Sequence, residues 1–479
     1  MSDWTPLSKA FKGDIVTPSD SDYATSIARW ATNANRNAKI VAFVKDSEDV
    51  SLALKFVKAN KLPLAIKGGG HSTAGGSSAE GGLVIDLSRH VNKVKVDAEN
   101  RLAYVGGGAL WADFDKATIE HGLAGVAGTV NHTGVGGLTL GGGVGWLRFT
   151  FAASLASLAR ANMFDGSSAH GLVIDNLVRV TIVTADGSIR TASSTENPDL
   201  FWAIRGGGCN FGVVTEFIFK LYPQRKTVYA GYIVFPPPML EQVVSVTKKW
   251  WSKGPDKKEG IAHFLTRVML FYNGPEVDGR AAYKAFFDIG PVADMTKEIP
   301  FEALNAVHNP QLPHGLPTYL KGVRATKPSI EVAEKAFQAL IQHTEKRPDM
   351  NMSCMFEYFP LAKICSVAND ATAYARVPYG NVLNIIRWTE DTEENFKYAR
   401  NAAGEISNIV LEGNTELASA NNTAYGNYDH EISVDDTDGE LAIDKAKVLF
   451  GDNYPRLQAL KKKYDPEVLF SKWFAITPA

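Results

Sequence analysis

The sequence predicts an α+β protein built in two main parts, and three observations carry that prediction. Glycine is concentrated in three clusters of the N-terminal half, at 68–71, 134–145 and 206–212. From about Pro223 to about Gly413 these clusters vanish, and strand patterns alternate with helical ones, the texture of one mixed or antiparallel sheet with helices packed on it. Beyond Asp444 a helical, basic stretch runs through Tyr464-Asp465-Pro466.

Composition excludes several classes. The 479 residues allow two or three domains around large cores. Hydrophobic residues make up 45% and charged residues 21%, an ordinary globular balance. The formal net charge of −2 offers no global attraction to nucleic acid or to an anionic membrane, and neither is an expected partner. Cys209, Cys354 and Cys365 are too few and too scattered for a disulfide framework or a zinc motif, so no metal is expected. Residues 1–23 lack the basic start and apolar core of a secretory signal, which sets the expectation of an intracellular, cytoplasmic location. Oligomeric state has no signature in the sequence.

Taken in order, residues 19–38 carry apolar side chains at helical spacing and 39–44 read as a strand. Asp46-Ser47-Glu48-Asp49 caps a helix over 50–60, with Leu52, Phe56 and Val57 on one face. The apolar run 62–66 is a buried strand that delivers the chain into Lys67-Gly68-Gly69-Gly70-His71-Ser72. A strand at 82–87 follows, then a hairpin over 94–105 turning near Glu99-Asn100, a helix over 111–121 and a long glycine-rich loop at 122–145. Strands 178–184 and 189–191 turn across Ala185-Asp186-Gly187, and a helix at 199–205 leads through the third cluster into a strand at 213–221. In the second part, strands at 229–235, 261–271, 352–358 and 382–388 alternate with helices at 239–252, 329–346 and 392–411.

Glycine runs let the backbone take positive φ, approach a bulky ligand and aim its N–H groups at phosphate or carbonyl oxygens. None of the clusters continues into the Lys-Ser or Lys-Thr of a Walker loop. The Gly134-Val135-Gly136 step has no strand before it and no clear helix after it, which argues against a Rossmann turn. One such cluster makes a turn as readily as a site. Three in one domain point to a large, multi-part ligand, better a dinucleotide than a mononucleotide.

These residues resemble a known family. Gly68-Gly69-Gly70-His71-Ser72, Gly134-Val135-Gly136-Gly137 with Gly141-Gly142-Gly143, and Asn197-Pro198-Asp199-Leu200-Phe201-Trp202 running into Arg205-Gly206-Gly207-Gly208 look like the FAD-binding fold of the vanillyl-alcohol-oxidase superfamily. Residues 421–427, Phe450-Gly451-Asp452-Asn453-Tyr454-Pro455-Arg456-Leu457 and Lys463-Tyr464-Asp465-Pro466 resemble the berberine-bridge-enzyme element of its fungal FAD-linked oxidoreductases. The resemblance implies a two-subdomain FAD domain over 1–223, a substrate domain over 224–425 with an antiparallel sheet backed by helices, and a C-terminal element over 426–479 returning to the FAD domain.

The resemblance further implies that His71 bonds covalently to the 8α carbon of FAD, a role a neutral imidazole nucleophile can fill near neutral pH. Relatives with a second attachment carry a cysteine that aligns with Val130, so attachment through His71 alone is expected. The other cofactor contacts it implies are Lys67 to Ser72, Gly128, Thr129, Thr133, Gly134, Val135, Gly136, Gly137, Gly141, Ile174, Val214 and Asn427. Tyr425 of Tyr425-Gly426-Asn427-Tyr428 is the implied base. Such a phenol, with an ordinary pKa of about 10, needs a cationic or hydrogen-bonding helper. Glu357, Tyr358, Tyr374 and Arg376 are the candidate helpers, and strand alternation puts only one of Glu357 and Tyr358 on the cavity side. Tyr358 and Tyr374 read equally well as core packing, His132 as a neighbour of the site and His430 as a surface residue. The implied reaction is oxidation of a hydroxylated small molecule (a sugar, an aromatic alcohol or a secondary metabolite), with hydride passing to flavin N5 and dioxygen reoxidising the flavin to give hydrogen peroxide. Alternatives are a dehydrogenase with another acceptor and a degenerate, non-catalytic flavin-binding protein. The last draws on residues 148–170, which interrupt the family pattern between Trp146-Leu147 and Gly171-Leu172 and read either as a lid helix or as a retained intron.

Overall fold

The computed structural model describes residues 5–148, 170–414, 417, 425–430 and 445–479. The interruption expected at 148–170 falls on residues 149–169 and so lies outside the described residues.

The N-terminal part holds two sheets. Strands β1 (Asp14–Val16), β2 (Ile40–Phe43), β3 (Leu64–Lys67) and β4 (Leu83–Asp86) form the first, in the order β1-β2-β4-β3, with β2, β4 and β3 parallel. Its β2 and β4 are buried throughout, as parallel strands covered on both faces must be. The helix Ser47–Asn60 packs Val50, Leu54 and Val57 onto this sheet, and Asp46 caps it by accepting the Asp49 amide. The second sheet is antiparallel and uses β5 (Val94–Asp97), β6 (Leu102–Gly106), β8 (Leu177–Val183), β9 (Ile189–Ser193) and β10 (Val213–Lys220) in the order β5-β6-β10-β8-β9. Short β7 (Leu123–Ala124) and β11 (Tyr222–Pro223) pair beside it. Trp111 and Phe114 of the helix Trp111–Ile119 pack edge-on against each other, and Phe114 edge-on and Trp111 at a tilt against Phe219, closing the core of this sheet.

The second part is one eight-stranded sheet. Its main path runs β15 (Ala293–Asp294), β12 (Thr227–Val234), β14 (Arg267–Tyr272), β13 (Glu259–Phe264), β18 (Asn351–Tyr358), β19 (Gly380–Arg387) and β17 (Thr318–Ala325), with β16 (Lys297–Pro300) also on β12. Helices Leu240–Lys253, Ile330–Lys346 and Glu393–Glu412 cover one face. The other face presents Tyr232, Met269, Met355, Leu383 and Ile385 to the glycine-rich part, where Trp146 meets it.

The tail belongs to the first core. Leu457 and Leu460 of the helix Tyr454–Tyr464 pack with Trp202 and Phe211. Lys461, fully buried, donates to the carbonyls of Asn210 and Phe470 and to the Asp465 carboxylate, each at 2.7 Å. That ammonium satisfies the two backbone acceptors and an opposite charge at once, the condition under which a buried cation is tolerated.

Three expected elements differ. Residues 19–38 make only the helix Tyr23–Ile27 and a short 3-10 turn. Here Arg29 donates to the Ser77 carbonyl and the Trp30 amide to the Gly70 carbonyl, so the segment is tied to the first glycine loop where a continuous helix would have bonded along its own axis. The expected strand 261–271 is a hairpin, β13 and β14, that reverses at Leu265 with φ +55°. The loop 122–145 contains β7 and the helix Val135–Leu140.

Candidate active site

A cavity of about 590 Å³ lies between the glycine-rich part and the open face of the eight-stranded sheet. Its floor is backbone from all three clusters: Gly68 to Ser72, Thr133, Gly134, Gly136 and Gly137, and Gly208 with Gly212. The first two loops touch at Gly69 and Gly134, where a Cβ on either would collide with the other's backbone. A Cβ on Gly137 meets nothing, so the floor is open there. Among the described residues the amides of Gly69, Gly70, His71 and Ser72 find no backbone acceptor, and the Ser77 hydroxyl beside them is buried without a partner. Unspent amides on a glycine loop next to an orphaned hydroxyl are the donor set that a diphosphate completes.

The His71 imidazole rises from that floor. The His71 ring stacks on Trp30 at 4.1 Å and 10°, and its Nε2 sits 3.1 Å from Nδ1 of His132. His314, from the second part, stands 4.8 Å from the His132 ring. Burial, then the neighbouring His132 and His314, push His71 down to about 3, so the imidazole is neutral and its lone pair available at any ordinary pH. Burial and His314 hold His132 down to about 4. The Trp30 indole donates to the Leu312 carbonyl, tying the ring that clamps His71 to the second part. Val130 lines the same wall and offers no thiol. Nearby, the Asn131 amide donates to the Asn305 carbonyl at 2.8 Å, and the Asn305 side chain donates to buried Asp115 at 2.6 Å.

The roof separates the candidates that sequence grouped. Glu357 and Tyr358 do go to opposite faces: Tyr358 packs under the helices against Trp251 and His263, whereas Glu357 faces the glycine-rich part. The Tyr428 hydroxyl donates to Glu357 Oε1 at 2.7 Å, and Asn381 donates to Oε2 at 3.0 Å. Tyr428 lines the cavity and is the residue the sequence reading passed over, although it closes the motif that reading quoted. Tyr425 is occupied differently. Its hydroxyl accepts the Gly143 amide at 3.1 Å and the Asn427 side chain at 2.7 Å, its ring is buried with Val144, Leu172 and Ile174, and burial raises its pKa. It holds the second loop in place. Tyr374 lies against Gly142 and Gly206 and pairs with Tyr425, away from the cavity wall. Arg376 is committed to Asp175, at 2.5 and 3.1 Å. Neither reaches the Tyr428–Glu357 pair.

Of the expected cofactor contacts, Gly68 to Ser72, Thr129, Thr133, Gly134, Gly136, Gly137, Val214 and Asn427 line the cavity. Lys67 does not: its ammonium pairs at 2.9 Å with Asp86, its register partner on β4. Gly128 packs against Trp111 and Leu138, Gly141 against Asn427, and Val135 and Ile174 are core residues, so all four shape the loops from behind. His430 is buried and stacks on Tyr319 rather than lying at the surface.

This glycine cradle under an antiparallel sheet defines an FAD-dependent oxidoreductase, and the comparisons agree. Residues 38–165 match the FAD binding domain family and residues 424–475 the berberine and berberine-like family. The FAD-linked oxidoreductase pgmH of Aspergillus terreus is 30% identical over 504 residues, covering 99% of this chain and 95% of the relative. The (R)-6-hydroxynicotine oxidase of Paenarthrobacter nicotinovorans is 33% identical over 237 residues, 50% of this chain and 47% of the relative. In fold, the chain superposes on 6-hydroxy-D-nicotine oxidase from Arthrobacter nicotinovorans with a TM-score of 0.81 at 24% identity over 100% of both chains. It superposes on glucooligosaccharide oxidase from Acremonium strictum at 0.79 and 21% identity, over 99% of this chain and 98% of that one. The chain belongs to the berberine-bridge-like family of FAD-linked oxidoreductases.

Proposed function

We propose that this enzyme oxidises a carbon–oxygen-bearing substrate whose hydroxyl proton leaves through Tyr428 to Glu357. The observation that carries the reading is the 2.7 Å hydrogen bond between those two side chains at the roof of the cavity that His71 enters from below. FAD, when bound, supplies a two-electron acceptor at N5 that dioxygen can regenerate with release of hydrogen peroxide. Tyr428 takes the substrate proton at Oη as its own proton moves to Oε1 of Glu357. The Asn381 amide holds the other carboxylate oxygen so that Oε1 stays aimed at the phenol. Asn427 donates to the Leu138 carbonyl and to Tyr425, which fixes the segment carrying Tyr428 over the second loop. The base is thus Tyr428 and not Tyr425, whose hydroxyl is already spent on Gly143 and Asn427.

The same reading makes His71 the single covalent tether. His132 engages its Nε2 and Trp30 its ring face, which leaves one orientation for the bond-forming nitrogen. Secondary metabolism fits the pgmH relative, and an oxidase fits the nicotine and oligosaccharide enzymes of the same fold.

Anaerobic flavin bleaching tests the base. Tyr428→Phe and Glu357→Gln should each slow flavin reduction about 10²–10⁴-fold with little change in substrate affinity. Parent-rate reduction in Tyr428→Phe removes it from the mechanism. Stopped-flow reoxidation in air distinguishes oxidase from dehydrogenase, since slow return of the oxidised spectrum means another acceptor.

A further inference from the structure

Among the described residues, the side chain of Arg267 at the roof of the cavity has no hydrogen-bond or ion-pair partner. Arg267 opens β14 opposite Phe264, half-buried at the cavity wall, with its guanidinium carbon 5.5 Å from the Phe264 ring centroid. Among the described residues no carboxylate pairs with it. The other arginine on this wall, Arg387, already donates to the carbonyls of Gln311 and Pro313. Glu357 is engaged by Tyr428 and Asn381. The backbone of Asp429 pairs with that of Lys321 on β17, at the far edge of the sheet from β14, and among the described residues no ion pair joins its carboxylate to Arg267.

What surrounds Arg267 is aromatic and cannot neutralise it. Tyr232 and His308 are hydrogen-bonded to each other at 2.5 Å, and both rings lie 5.9 Å from Phe264. His308 is held down to about 4, first by burial and then by the Arg267 charge itself, so it stays neutral. An unpaired guanidinium against aromatic faces in a partly desolvated wall is a strong site for a planar anion, because it offers both a bidentate fork and a stacking surface.

Geometry relates this cation to the reacting end. The register pairs Ala262 of β13 with Glu357, and Arg267 lies opposite Phe264, two residues further along β13 and one strand beyond it. Strand spacing and rise place the two backbone positions about 12 Å apart. Between them the wall presents Phe264 of β13 and Met355 of β18. A sugar there would bury hydroxyls against side chains with no donor or acceptor, each at a cost of about 1–3 kcal/mol.

We infer that the substrate is an aromatic hydroxy compound bearing a carboxylate or phenolate, with its ring against the Phe264–Met355 wall and its anion on Arg267. This rests on the proposed function only for which end of the substrate reacts. The test is binding, so it stands apart from the chemistry. The flavin-loaded enzyme is titrated under nitrogen, by calorimetry, with 6-(hydroxymethyl)-2-naphthoate, the matching neutral carboxamide and cellobiose. The naphthoate should bind at least ten-fold tighter than the carboxamide, and cellobiose more weakly than either. Arg267→Gln should abolish the preference while leaving the carboxamide affinity unchanged, which also shows that the variant is folded; Arg267→Lys should keep part of it. Equal affinities, a preference that survives in Arg267→Gln, tighter binding of cellobiose, or no binding of either naphthalene overturns the inference. A naphthoate preference together with a fully active Tyr428→Phe would instead leave the anion site standing and remove the proposed base.

Discussion

The floor and the roof of the cavity are built on opposite principles. The floor is backbone: three glycine loops in close contact, with amides and one orphaned serine hydroxyl toward the cleft and the reactive ring of His71 above them. The roof is side chains, with Glu357, an aromatic wall and the Arg267 cation at set positions on a rigid sheet and Tyr428 brought to Glu357 from the turn Gly426–Tyr428. A backbone surface recognises what relatives share, because every residue supplies the same amide. A side-chain surface recognises what distinguishes them, because each strand position can be changed without disturbing the ladder. The difference assigns cofactor to the floor and substrate to the roof.

The sharpest way to break that division is at its one exception below. His71→Ala should leave the acid-precipitated pellet colourless while the native protein still binds FAD non-covalently, since the cradle amides remain. Pellet colour surviving the substitution would place the tether elsewhere. Next in size is the contrast between two tyrosines three positions apart. Tyr428→Phe should reduce the rate of flavin reduction about 10²–10⁴-fold. Tyr425→Phe should instead act on the floor, lowering thermal stability by about 1–3 kcal/mol through the unpaired Gly143 amide, with a much smaller effect on rate. Equal rate losses in the two variants would erase the distinction. Lys461→Met removes the ammonium that holds the third loop and strands Asp465, and should cost about 3–5 kcal/mol in denaturant unfolding.

The smallest effect concerns the seam between floor and roof. Burial pushes Asp115 up to about 7, so the folded protein favours its neutral form, hydrogen-bonded to Asn305. Its contribution is therefore complete below about pH 4, the unfolded value, and is lost as pH rises through about 7. Asp115→Asn should become stable relative to the parent over that window, flattening the difference in melting temperature between pH 5 and pH 8. A difference that does not vary with pH would show that Asp115 is ionised in the fold.

These same principles decide what the sequence could disclose. The glycine clusters were legible because glycine marks places where the backbone itself must do something unusual, and Gly70 at φ +68° and Gly69 against Gly134 are such places. The helices over the sheet were legible from their apolar period. The partner of Lys67 was not, because Asp86 stands opposite it only once β3 and β4 pair. Nor was the choice between Tyr425 and Tyr428, which depends on a hydrogen bond to a carboxylate 71 positions away in sequence. Strand β17 went unread for a related reason: it is defined by its pairing with β19 across the sheet edge, while its own residues include a glycine and two basic side chains. The N-terminal segment shows the reverse failure, a local helical period overridden by tertiary bonds from Arg29 and Trp30.

The buried Lys461 also has a consequence for how the protein is made. The acceptor it satisfies at Asn210 belongs to the first domain, yet the ammonium arrives about 250 residues later, together with the apolar side chains that finish the same core. A nascent chain that has emerged only through the eight-stranded sheet therefore carries a completed second domain beside a first one still missing part of its interior. The flavin-binding half cannot mature in the order in which it is translated. It waits, with apolar surface exposed to chaperones and to neighbouring chains, until the helix Tyr454–Tyr464 has left the ribosome.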